Sequence, residues 1–329
     1  VGAAREPTEG RREDARFHPC SPPAHSKVMN LFTSVSRPVL LRLSRAAGLG
    51  ALVQRTSWGS RAVRRFVAGN TIAEAVAVAV EMKSRGFTAT LDRLGEASTG
   101  VTADAYASDA ASLLEAQAAA GLEPNVSVKL TAIGLAEGVA IATARLDRIL
   151  AVAQRVNGFV RVDAEHAASL DDLHAIVISA RAAGAPVGTV VQANMRRSAT
   201  DITKLVAAGV PLRLVKGAYD PGSEGVGDTA AVDVAYVALA EQLLNTEIPL
   251  AFGTHDDRIL AKLVERSRGR AEAQLLYGVR ADLADRLVAN GWRVRIYTPY
   301  GRDWWPYSLR RMAERPANLR FVLRSLVGR

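Results

Sequence analysis

An alternation constrains this chain more than any other feature. From about residue 88 onward, short apolar runs suited to strands recur eight times, separated by longer alanine-rich stretches. The runs begin near Thr88 (TATLDRL), Asn125 (NVSVKL), Phe159 (FVRVDA), Gly188 (GTVVQA), Leu212 (LRLVKG), Pro249 (PLAFGTH), Glu272 (EAQLLYG) and Val294 (VRIYTP). Each is bounded by turn residues and too short for a helix. The stretches between them, such as residues 102–120, 139–156, 170–183 and 229–244, read as helices. A further helix is read over residues 71–85, where Ile72, Ala75, Val76, Val78, Ala79 and Met82 recur at helical spacing. Consecutive parallel strands need long crossovers, usually helical. Eight such units predict an α/β fold, a (β/α)8 TIM-type barrel. A doubly wound sheet ordinarily carries a glycine-rich phosphate loop after its first strand. Here that strand runs into Leu94, Gly95 and Glu96, and Gly217, Gly222, Gly225 and Gly227 read as a flexible loop after strand five.

With 49% hydrophobic residues among 329, the chain has enough apolar surface for one large core. The net charge of +9 is local. Residues 29–66 hold seven arginines and no acid, while residues 1–28 hold five basic and four acidic side chains. The body from Val67 onward is therefore nearly neutral, which argues against a nucleic-acid-binding surface there. The single cysteine, Cys20, excludes an internal disulfide and a cysteine-based zinc site and is compatible with a reducing cytosol. No uninterrupted apolar run is long enough to span a membrane. Residues 1–28, with Pro7, Pro19, Pro22 and Pro23, are expected to be a disordered leader, and Met29 is a candidate start. Residues 29–66 are expected to form a basic helical extension, and residues 67–329 the barrel. The extension has two readings: an amphipathic segment lying on an anionic membrane surface, or a helix pair packed on the barrel.

In a barrel of this kind the carboxyl ends of the strands face the active site. Strand two ends with Lys129, and strand three with Asp163 followed by Glu165 and His166. Strand four ends with Gln192, strand five with Arg213 and Lys216, and strand six with Thr254, His255 and Asp256. Strand seven offers Gln274 and Tyr277, and strand eight Tyr297. One polar group at a strand end is ordinarily solvated. Seven strands that all end this way suggest a shared ligand, because unpartnered buried charges would cost several kcal/mol each.

After strand eight, Pro299 and Gly301 are expected to break the strand. Asp303 then reads as an N-cap and Pro306 as a first-turn residue of a short helix. Tyr307, Arg310, Arg311 and Glu314 share one face of that helix. Two arginine forks aimed at one place suit a carboxylate or a phosphate, and Glu314 is spaced to hold both. No HExxH helix or GxSxG elbow occurs. Lys216 raises a Schiff-base lyase as an alternative, and a non-catalytic barrel that binds an anionic metabolite is a second.

These stretches together resemble the monofunctional bacterial proline dehydrogenases. The resemblance is carried by residues 91–96 (LDRLGE), 127–134 (SVKLTAIG), 160–163 (VRVD), 191–193 (VQA), 213–219 (RLVKGAY), 253–256 (GTHD), 274–278 (QLLYG) and 295–314 (RIYTPYGRDWWPYSLRRMAE). It covers roughly residue 70 to the end. It implies oxidation of L-proline to 1-pyrroline-5-carboxylate by hydride transfer to FAD, with electrons passed to a quinone-type acceptor. By that resemblance Lys129, Arg310 and Arg311 bind the proline carboxylate, and Glu314 orients the arginines. Tyr297 and Tyr307 wall the ring, Leu276 packs on its apolar side, and Asp163 hydrogen-bonds Tyr297. Arg213 lies beside the isoalloxazine. Ala164, Gln192, Lys216, Gly217, Ala218, Tyr219, Thr254, His255 and Gln274 contact FAD. Asp163 and Arg213 are the catalytic pair. Gly253 and Ala273 depart from the family pattern, which often has Ala and an aromatic residue there. The implied location is the cytoplasm, with peripheral contact to the inner face of the cell membrane where electrons leave.

Overall fold

The computed structural model describes residues 65–267, 269–304 and 307. Eight parallel strands close into a barrel in chain order, β1 through β8, with β8 pairing back onto β1. They are β1 (Thr88–Arg93), β2 (Asn125–Lys129), β3 (Phe159–Asp163), β4 (Val187–Gln192), β5 (Leu212–Val215), β6 (Leu250–Gly253), β7 (Ala271–Leu276) and β8 (Arg293–Tyr300). Helix α1 (Ile72–Ser84) precedes β1. The others cross over between successive strands: α2 (Gly100–Ala119), α3 (Val139–Arg155), α4 (Leu170–Ala182), α5 (Ser198–Ala207), α6 (Thr229–Leu244), α7 (Asp257–Ser267) and α8 (Ala281–Ala289). Helix α1 starts where a capping box allows it. The Thr71 hydroxyl accepts from the Glu74 N–H, and the Glu74 carboxylate accepts from the Thr71 N–H.

Strand alternation sorts the side chains into two sets. Leu91, Val126, Val128, Val160, Val162, Leu212, Leu214, Phe252, Leu275 and Ile296 point outward and form one continuous apolar core with the helices. The inward positions carry Thr90, Asp92, Asn125, Ser127, Lys129, Arg161, Asp163, Arg213, Glu272, Gln274, Arg295 and Tyr297. Their inward direction follows from bonds between strands that are not neighbours. Tyr297 on β8 reaches Asp163 on β3, and Arg213 on β5 reaches both Asp163 and Gln274 on β7. Such bonds can only cross the lumen.

One boundary differs from the sequence reading. β8 continues through Pro299 to Tyr300 and does not break at the proline. Neighbour β7 ends at Leu276, opposite Tyr297. On that side Pro299 meets the segment before α1, with the Ala68 N–H donating to the Pro299 carbonyl at 2.8 Å. The missing proline N–H therefore has no ladder bond to lose.

Candidate active site

At the carboxyl ends of the strands the inward side chains meet one another. The Lys129 ammonium lies 3.1 Å from both oxygens of Asp92, a carboxylate only 1% exposed. Burial works against the lysine charge, but Asp92 and the surrounding phenols and carboxylates outweigh it and hold Lys129 above its ordinary value. The Tyr297 hydroxyl donates to Asp163 Oδ2 at 2.9 Å, and the Ser127 hydroxyl donates to Asp163 Oδ1 at 3.2 Å. Burial, then Asp163 and Asp92, push the Tyr297 phenol well above its ordinary value, so it stays a donor. Arg213 Nη2 donates to Asp163, and Arg213 Nη1 donates to Gln274 at 3.0 Å. Its guanidinium carbon also stands 5.3 Å from the centre of the Tyr297 ring.

The far side of the mouth is built from loops after β3 to β7. Gln192 donates to the Glu165 carbonyl at 2.9 Å, and Glu165 receives the Thr131 hydroxyl and N–H at 2.7 and 3.3 Å. Burial raises the Glu165 pKa. Lys216 sits between Asp233 on α6 and Asp256 after β6. Gly217 has φ +113, and a Cβ there would fall on the Asn194 amide, so only glycine lets this loop close over β4. Tyr219 meets the ring of His166 edge-on, with centroids 4.8 Å apart. His255 Nε2 accepts from the Leu276 N–H at 3.0 Å, and Thr254 is buried. A second apolar cluster, of Phe66, Val67, Leu94, Val279, Trp304 and Tyr307, caps this end of the barrel, with Leu276 packed against it. Ala164 joins a third, small cluster with Leu170, Val190 and Met195.

The inward strand-end residues Lys129, Asp163, Gln192, Arg213, Gln274 and Tyr297 thus line one lumen. Tyr277 does not join them. It lies one position past the inward Leu276 and packs against the outer core. Arg310, Arg311 and Glu314 lie outside the described residues, as do residues 1–64. Contrary to the expectation that the strand-end charges await a ligand, most of them partner each other. Asp92 is a further mouth residue, absent from the strand-end set expected from sequence. The polar–apolar alternation of Thr88, Ala89, Thr90, Leu91 and Asp92 was the signal that marked it as inward.

The donor set fits a flavin. Arg213 Nε is buried with no hydrogen-bond partner among the described residues, and Gln192 and Lys216 bring further N–H donors to the same rim. The isoalloxazine edge and the pyrophosphate both present acceptors to such donors. Fold and site together define a TIM-barrel enzyme with a polar lumen and a donor-rich mouth.

The profile of the family described as proline dehydrogenase matches residues 75–324. Proline dehydrogenase 1 of Bacillus subtilis subsp. natto is 36% identical over 280 residues, covering 82% of this chain and 93% of its own. Proline dehydrogenase of Deinococcus radiodurans is 35% identical over 307 residues, covering 88% of this chain and 97% of its own. Among solved structures, proline utilization A from Bradyrhizobium japonicum (mutant D779W) superposes with a TM-score of 0.68 at 26% identity. The match covers 82% of this chain and 32% of that much longer one. Proline utilization A from Bdellovibrio bacteriovorus, inactivated by N-propargylglycine, gives a TM-score of 0.71 at 24% identity, covering 87% of this chain and 36% of that chain, and shares the fold. The chain belongs to the proline dehydrogenase family. It is an oxidoreductase of proline catabolism, acting at the first step of proline degradation, and FAD is the cofactor of that family.

Proposed function

We propose that the lumen mouth holds L-proline against FAD and yields 1-pyrroline-5-carboxylate. The cross-barrel chain Tyr297–Asp163–Arg213 supports this reading, because one carboxylate ties the phenol we assign to the substrate wall to the guanidinium we assign to the cofactor side. A flavin bound there would supply the acceptor for the hydride leaving the ring carbon bonded to nitrogen. Lys129, Arg310 and Arg311 clamp the proline carboxylate, and Glu314 orients the arginines. Tyr297, Tyr307 and Leu276 enclose the ring and keep water from it, which is what a small zwitterion with an apolar ring requires. Asp163 fixes the Tyr297 hydroxyl and the Arg213 fork. Arg213 places positive charge where electron density accumulates. Ala164, Gln192, Lys216, Gly217, Ala218, Tyr219, Thr254, His255 and Gln274 form the cofactor cradle.

A Schiff-base role for Lys216 is disfavoured by its two carboxylate neighbours, since a nucleophilic lysine needs an apolar pocket or a cationic neighbour. No helix among the described residues is long and apolar enough to cross a membrane. We take the electron acceptor to be a quinone at a membrane surface, reached by peripheral contact through the basic segment 29–66, which carries seven arginines and no acid. Residues 1–28 are a leader and residues 67–329 the catalytic barrel in this reading. L-Proline should bleach the bound flavin under anaerobic conditions. Arg310→Met or Arg311→Met should weaken proline binding roughly 10- to 150-fold, since a hydrogen bond to a charged group is worth about 1.5–3 kcal/mol. A flavin-loaded sample that proline leaves unbleached would overturn the proposal.

A further inference from the structure

A second set of buried polar groups continues below the mouth. Glu272 lies two residues before Gln274 on β7 and faces the same lumen. Its Oε1 receives two bonds, from Gln274 Nε2 at 2.5 Å and from Arg295 Nε at 2.8 Å. Its Oε2 lies 3.4 Å from Arg293, a side chain that is 59% exposed. Arg295 is itself tied to Glu123 at 2.6 Å and to the Ala89 carbonyl at 2.9 Å. A continuous hydrogen-bonded line therefore runs up the barrel from Glu123 through Arg295, Glu272 and Gln274 to Arg213 and Asp163.

The chemistry of this line is directional. A guanidinium only donates, and an ionised carboxylate only accepts. Gln274 stands between one of each. Only one orientation of its amide satisfies both, with the oxygen toward Arg213 and the nitrogen toward Glu272. Burial works against the Glu272 charge, but Arg295 outweighs it and holds the carboxyl below its ordinary range, so the acceptor is present at neutral pH. Small inner residues on β6 make room for the line. A Cβ on Gly253 would meet Val215 Cγ1 at 2.9 Å and Arg213 Cδ at 3.7 Å.

We propose that Glu272 is a positioning residue for the reaction: it locks the amide of Gln274, and through that amide it fixes the Arg213 fork. The proposal rests on the reading that Arg213 lies beside the flavin. It makes reach, and not charge, the working property of Glu272. Glu272→Gln keeps Oε1, which receives both bonds, and loses the negative charge together with the oxygen near the exposed Arg293. Glu272→Asp keeps the charge but withdraws the acceptor from Gln274, because the β7 backbone is held in its ladder with β6 and β8.

The test uses the full chain loaded with FAD and measures the midpoint potential of the bound flavin, with kcat and KM for proline. Arg213→Met is the control for the underlying reading. If it leaves the potential unchanged, Arg213 is not beside the flavin and that reading fails. With the control satisfied, Glu272→Asp is expected to shift the potential and lower kcat at least tenfold, with KM changed less than threefold. Glu272→Gln is expected to stay within threefold of the parent in kcat and to keep its potential. In a Gln274→Met background the Glu272→Asp shift is expected to vanish, since two residues acting through one contact are not additive. A shift in Glu272→Gln with none in Glu272→Asp would overturn the proposal in favour of direct charge. Loss of stability with no change in potential or kcat would reduce Glu272 to a structural role. If both variants shift the potential, the Gln274→Met background decides. Disappearance of the shifts supports the proposal, and their persistence overturns it.

Discussion

The two faces of the barrel strands are built from opposite materials. Outward, β5 presents Leu212 and Leu214, both fully buried against helices. Inward, the same strand presents Arg213, whose partners stand on β3 and β7. One residue along the chain separates an aliphatic core from a charged lumen, because successive side chains on a strand point to opposite faces. TIM barrels are commonly filled by bulky branched residues. This lumen instead holds Asp92, Lys129, Arg161, Asp163, Arg213, Glu272 and Arg295, none of them more than lightly exposed. Burial and the nearby Arg213 push the Arg161 pKa down to about 9. Its Nη1 is held by the carbonyls of Thr189 and Pro211 at 3.0 and 2.8 Å. The outer layer owes its stability to burial of area. The inner layer owes its order to pairing, and pairing gives positions at the cost of solvation.

The comparison is tested most severely by removing half of a pair. Lys129→Met leaves Asp92 buried without its counter-charge, and breaking a buried pair in this way costs about 3–5 kcal/mol. The loss should appear as a lower denaturation midpoint. A second substitution, Asp92→Asn, is expected to recover most of it, although the mouth has then lost two charges. If Lys129→Met alone unfolds at the parent midpoint, the lumen is wetter than its paired geometry implies.

The outer face should respond in the other way. Leu214→Ala removes aliphatic volume from a site with no exposure. Leu→Ala in a core costs about 2–5 kcal/mol according to how far the site collapses. The carbonyl of Leu214 also accepts the Tyr236 hydroxyl, a backbone contact that the substitution keeps. Stability is expected to fall while KM for proline stays within about twofold, because the change alters neither partner of Arg213. Unlike Lys129→Met, no second charge substitution should restore it.

This contrast also explains what could be read from sequence. The barrel was legible because eight strands with intervening helices impose a period that few other folds share. Tyr297, Asp163 and Arg213 were legible as strand-end polar residues in apolar surroundings. Their mutual contacts were not, since β3, β5 and β8 are remote in sequence and meet only through closure of the barrel. Asp92 was hidden among charged neighbours in LDRLGE, where only its strand parity distinguished it from Arg93. Tyr277 departs from the strand-end expectation for the same reason, because a shift of one residue turns a side chain from lumen to shell. The role of Asp233 depended on α6 packing beside β5 and β6, which no local spacing encodes.

The smallest expected effect concerns Glu165, which belongs to neither layer. It lies 3% exposed at the junction of β3 and the loop after β2, held by Thr131. Burial raises its pKa in the folded protein above the ordinary value. The sign follows from linkage. A carboxyl whose folded pKa is raised binds its proton more tightly in the native state than in the unfolded one, so stability falls as pH climbs past the unfolded value toward the folded one. Below both values the group is protonated in either state and contributes no difference. Glu165→Gln carries no titrating proton, and its amide can still accept the Thr131 N–H while donating to the Thr131 hydroxyl oxygen. The variant is therefore expected to gain stability relative to the parent as pH rises from about 4 to 8, with the two converging at the acid end. Thermal denaturation across that range measures it. A difference that shrinks with rising pH would mean that Glu165 is stabilised as an anion. It would then belong with the paired lumen carboxylates rather than between the two layers.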